Sequence, residues 1–264
     1  MAPKARGQDF PWWLVAAGVL AALLLWRIAS DEIYARILAT VSQGIGITIF
    51  VTLVAFGLAA CLGLGLAACG LSRWVLPRQA ARFHIEIMRG VPMLVLLFYV
   101  AFVAAPALVA AWNALAAPLG LAPMQTRDLS LMWRAILALS LGYSAFLAEV
   151  FRAGIQSVDP GQIEAAKALG LGGWQRFRHV TFPQAIRTVL PPLGNDFIAL
   201  IKDSSLVSVL GVADITQLGK IYAAGSFRFF ETYNVVTFLY LLMTLGLSLA
   251  LRALERRLRF READ

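Results

Sequence analysis

The sequence predicts an all-α integral membrane protein with about six transmembrane helices. Of its 264 residues, 60% are hydrophobic and only 14% charged, for a mean hydropathy of +0.75. A soluble domain of this length has no use for so much apolar surface. The apolar residues gather into six runs, and the basic residues crowd into alternate segments between them. The formal charge of +8 would suit nucleic acid, but its placement beside hydrophobic runs is that of a membrane protein, and no nucleic-acid partner is expected.

The first run, 11–29, follows Lys4 and Arg6, as a signal peptide would. It is longer than a signal core, carries Trp12, Trp13 and Trp26 as interfacial anchors and lacks a clear cleavage site, so it reads as a retained helix. The second run, 45–71, contains Gly57, Gly63 and Gly65, positions that permit close helix approach. Runs 91–111 and 131–150 are the third and fourth. Between them, 112–130 holds Pro118, Gly120 and Pro123 and reads as an outside loop. The fifth run, 188–201, is shorter and starts near Gln184; the sixth is 235–251. Within 203–230 the apolar patch 206–212 is too short to span, which predicts interfacial helices on the outer face. Cys61 and Cys69 share one apolar run without CxxC spacing or a nearby Cys/His cluster. They read as small buried hydrophobes, with neither metal nor disulfide implied.

Loop charges set the expected orientation. Arg73, Arg78, Arg82 and Arg89 lie between runs two and three, and Arg152, Lys167, Arg176, Arg178 and Arg187 between four and five. Arg252, Arg256, Arg257, Arg259 and Arg261 follow run six. With Lys4 and Arg6 these fall on one side if the spans alternate, placing both termini and 159–183 in the cytoplasm.

Residues 159–183 read DPGQIEAAKALGLGGWQRFRHVTFP. Asp159 suits a helix N-cap and Pro160 the first helical position. The helix then carries Ile163, Glu164, Ala165, Ala166 and Leu169, and breaks at Gly170, where a left-handed or tightly turned backbone is expected. A second short helical pattern starts near Trp174 and is expected to stop before Pro183.

Glu164-Ala165-Ala166, three residues, Gly170, nine residues, then Val180-x-Phe182-Pro183 resembles the EAA loop of permease subunits in ATP-binding-cassette (ABC) importers. Val180 and Phe182 stand where that family usually has Ile and Leu, with hydrophobic bulk kept. FHIEIMRGVPMLVLLFY (83–99), AFLAEVFRAGIQSVD (145–159) and LGNDFIALIKDSSLVSVLGVADI (193–215) are similar to permeases of the polar amino-acid uptake branch. The likeness runs from about residue 40 to the C-terminus. It implies a five-helix type I ABC importer permease domain at 40–264, preceded at 1–39 by a cytoplasmic tail, one extra transmembrane helix and an outer loop.

By that resemblance, Glu164, Ala165, Ala166, Gly170 and Pro183 couple the chain to an ATPase subunit, whose groove receives the loop. Two permease subunits, identical or paralogous, enclose the path in a bacterial inner membrane. Two ATPase subunits sit below, and an extracytoplasmic binding protein delivers a polar amino acid from above. The chain has no GxxxxGK[ST] loop to cradle phosphates. It is expected to be no enzyme and to bind no cofactor, with ATP and Mg used by the partner.

Charges at membrane depth mark pathways by default. Asn195 and Asp196 sit near the middle of run five, with Lys202, Asp203, Ser204 and Ser205 toward its outer end. Seven residues apart, Asp196 and Asp203 fall within about 20° on one helix face. Such a pair could bind an ammonium or a cationic side chain; alternatively, Lys202 neutralises one acid. Asn195, Asp196, Lys202, Asp203 and Ser205, with Tyr99 from the aromatic group Phe98, Tyr99 and Phe102 in run three, are the candidate substrate path. Glu149 and Arg152, three residues apart, are expected to pair at the inner end of run four, joined by Arg89. Gly142 and Tyr143 mark a close approach or bend. His84 and His179 flank cytoplasmic boundaries without acidic or Cys partners at ligand spacing, and read as interfacial. A competing function, an ion-gradient-driven secondary transporter or channel working through Glu149 or Asp196, ordinarily carries inverted repeats, and none is visible.

Overall fold

The computed structural model describes residues 12–260; Lys4, Arg6 and Arg261 of the expected charge pattern lie outside them. Among the described residues the regular elements are all helical. Helix α1 (Trp12–Ser30) leads into α2 (Glu32–Val41), which a tight turn at Ser42–Gly44 joins to α3 (Ile45–Gly70). Residues expected as an outer loop are therefore helical in α2. The reason is an amphipathic pattern: Tyr34, Ile37 and Val41 are buried on one face, and Asp31 caps the start by accepting from the Ile33 amide.

The arginine-rich segment between spans two and three is also a helix, α4 (Val75–Gly90). It leaves Trp74, Leu76 and Phe83 exposed and ends before Pro92. The third span runs through α5 (Met93–Tyr99), a π-turn (Val100–Ala104) and α6 (Ala105–Ala116). The π-turn has an identifiable support in Arg134, which is only 7% exposed. Its Nη1 donates to the Ala101 carbonyl at 2.9 Å and its Nε to Leu129 O at 2.7 Å, while Nη2 donates to Thr126 O. A carbonyl within the π-turn thus has a side-chain donor.

Next come α7 (Leu131–Gln156), α8 (Pro160–Ala168), α9 (Gly173–Arg176), α10 (Phe182–Asp203), α11 (Ile215–Ser226) and α12 (Phe229–Phe260). Four stretches are long and apolar enough to cross a membrane: Glu32–Gly70, Met93–Leu119, Leu131–Gln156 and Phe229–Ala253. Of the two remaining expected spans, the first is represented by a shorter apolar helix, Gly18–Ser30, and α10, expected as the fifth, falls short of that apolar length and composition among the described residues. Helix α10 is polar for a span, since it includes Arg187, Asp196, Lys202 and Asp203 and carries Pro191 and Pro192 in its interior.

The main core lies where α3 meets α7, with α5 and α10 alongside; Val51, Ala55, Leu97, Ile136, Leu139, Leu147 and Leu200 are fully or nearly fully enclosed there. Of the three glycines singled out in α3, only Gly63 serves close approach. A Cβ there would lie 3.0 Å from the Ala148 amide nitrogen and the Ser144 carbonyl, whereas Gly57 and Gly65 face open space. A second cluster, built on Ile37, Val41, Ile215, Val235 and Leu239, holds α2, α11 and α12 together. Beside it buried Asp214 caps α11 through the Gln217 amide (2.8 Å) and accepts from the Tyr240 hydroxyl (3.1 Å).

Candidate functional site

The segment singled out in the sequence forms a compact hairpin. Asp159 accepts from the Gly161 amide at 2.6 Å and starts α8. Gly170 stops it, with φ of +76°: the Gly170 amide donates to Lys167 O and the Leu171 amide to Ala166 O, the paired bonds of a left-handed helix stop. Ala166 is buried, while Glu164 and Ala165 face outward. Around the turn, Leu169 is 81% and Trp174 70% exposed, with Trp174 stacked on Phe177 at 5.7 Å. Large apolar side chains thus stand in the open on a segment otherwise rich in Arg and Gly.

One expectation fails here. The second short helix does not stop before Pro183; α9 passes through a π-turn (Phe177–Thr181) directly into α10. The Phe182 amide reaches back five residues to Phe177 O. Pro183 follows the π-turn directly, where the regular i→i−4 ladder is already interrupted. The second arm of the hairpin and the acid-bearing span are one continuous helical stretch.

In the span itself, the Tyr143 hydroxyl of α7 donates to Asp203 Oδ2 at 2.7 Å. Asp196, two turns below on the same helix, is half-buried. Asp203 is therefore satisfied by Tyr143 rather than by Lys202, which is exposed and forms no ion pair among the described residues. Asn195 and Tyr99 are exposed as well, and Ser205 is half-buried; none of the three shares a described hydrogen bond with the acids. Tyr143 is the residue that sequence reasoning undervalued. The available signal was a tyrosine in mid-span, whose hydroxyl requires an acceptor once its ring is buried. Beside it Gly142 does mark a close approach, since a Cβ would lie 2.5 Å from the Met93 methyl.

At the end of α7 expected to lie inward, Arg89 Nη1 bonds Glu149 Oε1 at 2.6 Å. The expected Glu149–Arg152 pair is absent: Arg152 donates instead to Gln156 Oε1 at 3.0 Å. Arg89 reaches Glu149 from the end of α4, and Gln156 offers Arg152 an acceptor one turn further along its own helix. His84 Nε2 lies 2.9 Å from Ser144 Oγ, whose own proton goes to Leu141 O. The imidazole is thus the donor, and burial lowers its pKa toward the neutral form.

Chemically, the arrangement offers a half-buried acidic cluster suited to a cationic or zwitterionic group, and an apolar turn suited to docking. The profile of the binding-protein-dependent transport system inner membrane components matches residues 59–260. The probable amino-acid permease protein YxeN of Bacillus subtilis (strain 168) is 36% identical over 219 residues, covering 82% of this chain and 90% of that protein. The glutamine transport system permease protein GlnP of Escherichia coli (strain K12) is 37% identical over 223 residues, covering 82% and 92%. A crystal structure of an amino acid ABC transporter with histidines superposes with a TM-score of 0.69 at 33% identity, over 87% of this chain and 98% of that one.

Proposed function

This chain belongs to the family of binding-protein-dependent transport system inner membrane components, and on that premise we propose that it carries a polar amino acid through a bacterial inner membrane. It is a multi-pass membrane permease subunit. It works with a second permease subunit, two separate ATPase subunits and an extracytoplasmic binding protein, with both termini and the Gly170 turn in the cytoplasm. The ATPase receives Glu164, Ala165 and the exposed apolar side chains around Gly170. Pro183 and the π-turn before it pass the motion to α10. Asp196 and Asp203, the latter held by Tyr143, line the path, and Asp196 meets the ammonium of the cargo.

The observation that carries this reading is the continuity of the turn with the acid-bearing span, through α9 and its π-turn. A displacement of the turn is passed along α9 and its π-turn into the helix that bears Asp196 and Asp203. The likeness to a solved amino acid ABC transporter and membership of the binding-protein-dependent family support the ATP-driven reading over an ion-gradient one. Purification tests it: the chain should co-purify with an ATPase, and reconstituted vesicles should take up amino acid only with ATP and binding protein. Uptake by the chain alone, driven by an ion gradient, would sink the proposal. A C-terminal reporter active only outside the cytoplasm should stay silent, and a strong signal would reverse the orientation.

A further inference from the structure

A polar cavity of about 410 Å³ opens between α3, α4 and α7, apart from the acidic cluster in the span. Its floor is made of small residues, Ala67 and Gly70 of α3. Its walls carry Arg82 and Glu86 of α4, and Arg152 and Gln156 of α7. Arg82 and Glu86 are spaced i, i+4 and could pair on the helix surface, yet among the described residues neither takes part in an ion pair. With the base N-terminal to the acid, theirs is the weaker order for such a pair. Arg152 has only neutral Gln156 as its described partner, and the remaining wall acid, Glu149, is already taken by Arg89. The cavity therefore presents two guanidiniums and one carboxylate without opposite charges of their own.

We infer that this cavity is a binding site for a small zwitterion. Its oxyanion lies on Arg82 and Arg152, and its primary ammonium on Glu86. A simple anion would meet Glu86 and a simple cation would meet two arginines; only a ligand carrying both signs satisfies all three. Guanidinium groups are well matched to carboxylate and phosphate oxygens. At ~30 Å³ per water the cavity holds roughly a dozen molecules, room for such a ligand with water to spare.

Two sources supply this chemistry, a free α-amino acid and a phosphatidylethanolamine headgroup. Gln156 also lines the cavity beneath α8, with Glu164 and Lys167. A ligand that draws Arg152 from Gln156 thus frees a side chain that lines the cavity beneath α8, the first arm of the proposed coupling hairpin. That last consequence rests on the coupling proposed above; the binding does not.

Purified complex stripped of lipid in detergent provides the test, without ATP or binding protein, so the result stands whatever the cargo or orientation. One arm reconstitutes it in nanodiscs of phosphatidylethanolamine or phosphatidylcholine, which differ by methylation of the ammonium, and reads retained lipid by native mass spectrometry. The other measures binding of radiolabelled L-glutamine in an Asp196→Asn background, which removes the span acid. Preferential retention of the ethanolamine lipid identifies a headgroup site; saturable glutamine binding identifies a cytoplasmic amino-acid site. In either case Arg82→Gln and Glu86→Gln should each weaken binding at least tenfold, while Arg82→Lys and Glu86→Asp retain most of it, with unchanged elution on size exclusion. Binding of neither probe, or binding insensitive to Glu86→Gln, overturns the inference.

Discussion

Tyr143, in the middle of α7, holds Asp203, the last residue of α10, through a 2.7 Å hydrogen bond. The bond fixes one carboxylate of the acidic pair and leaves Asp196 without a described partner. It also joins the two helices that frame the expected path.

Removing that hydroxyl should alter transport more than folding. A hydrogen bond to a charged group is worth roughly 1.5–3 kcal/mol, about ten- to a hundred-fold in affinity. Tyr143→Phe and Asp196→Asn are each expected to raise the apparent KM for uptake within that range, with complex assembly and basal ATPase activity preserved. Uptake measured across substrate concentrations in reconstituted vesicles decides the matter. An unchanged KM in both variants takes the cluster out of the path.

Gly170 disfavours a side chain because of its backbone, not its surroundings: φ is +76°, and a Cβ there would meet nothing within 4 Å. Gly170→Val, with a β-branched residue forced left-handed, should release the turn at a local cost of about 1–3 kcal/mol. Together with Glu164→Lys it should uncouple ATP hydrolysis from uptake or prevent ATPase assembly, with expression and membrane insertion intact. Normal uptake and full ATPase stimulation in both variants would count decisively against the turn as coupling element.

Gly63 presents the opposite case, a glycine required by space. Gly63→Val must push α3 from the α7 backbone and is expected to cost about 1–3 kcal/mol by overpacking. Gly57→Ala, which faces open space, should be neutral or slightly stabilising. Thermal unfolding of the purified variants in detergent gives the comparison; equal melting temperatures would mean that the α3–α7 contact is looser than described.

Asp214 supplies a pH dependence. Burial raises its carboxyl pKa, opposed in part by hydrogen bonds from Gln217 and Tyr240. The unfolded chain loses this proton at a lower pH than the native protein does. The stability tied to the raised pKa is present below the unfolded value and falls away as pH rises through the folded one. Asp214→Asn keeps the acceptor for the cap and removes the charge. The variant should therefore gain melting temperature relative to the parent above the raised pKa, with the gain shrinking under acid. A gain independent of pH would assign it to packing instead.

The spans were legible because apolar runs of membrane length have few other uses, and the hairpin because Asp159, Pro160 and Gly170 each carry a strong local preference. Three features were not. Helices α2 and α4 are amphipathic and too short or too charged to register as spans, so their arginines and acids looked like loop. The passage through Pro183 depends on a π-turn, and proline by itself reads as a stop. The partners of the charged residues were also hidden: Asp203 and Glu149 each chose a residue sixty positions away, Tyr143 and Arg89, over the near neighbour that spacing suggested. Local spacing states which pairs are possible; the packing of α4 and α10 on α7 decides which form.

The two prolines inside α10 give that helix the character of a jointed lever. Neither Pro191 nor Pro192 can donate to the helical ladder, so the rod is weakest at one place along its length. Below the joint, some ten residues, or ~15 Å, reach down to the hairpin; above it, about eleven residues, or ~17 Å, reach up to Asp203. A swing of about 10° in the lower arm sweeps the hairpin through ~2.6 Å at that rise per residue. The upper arm is pinned at its far end by Tyr143, so flexing concentrates just beneath Asp196. Under the proposed coupling, the stroke that shifts the hairpin is therefore expected to turn the free carboxylate while the tethered one stays in place.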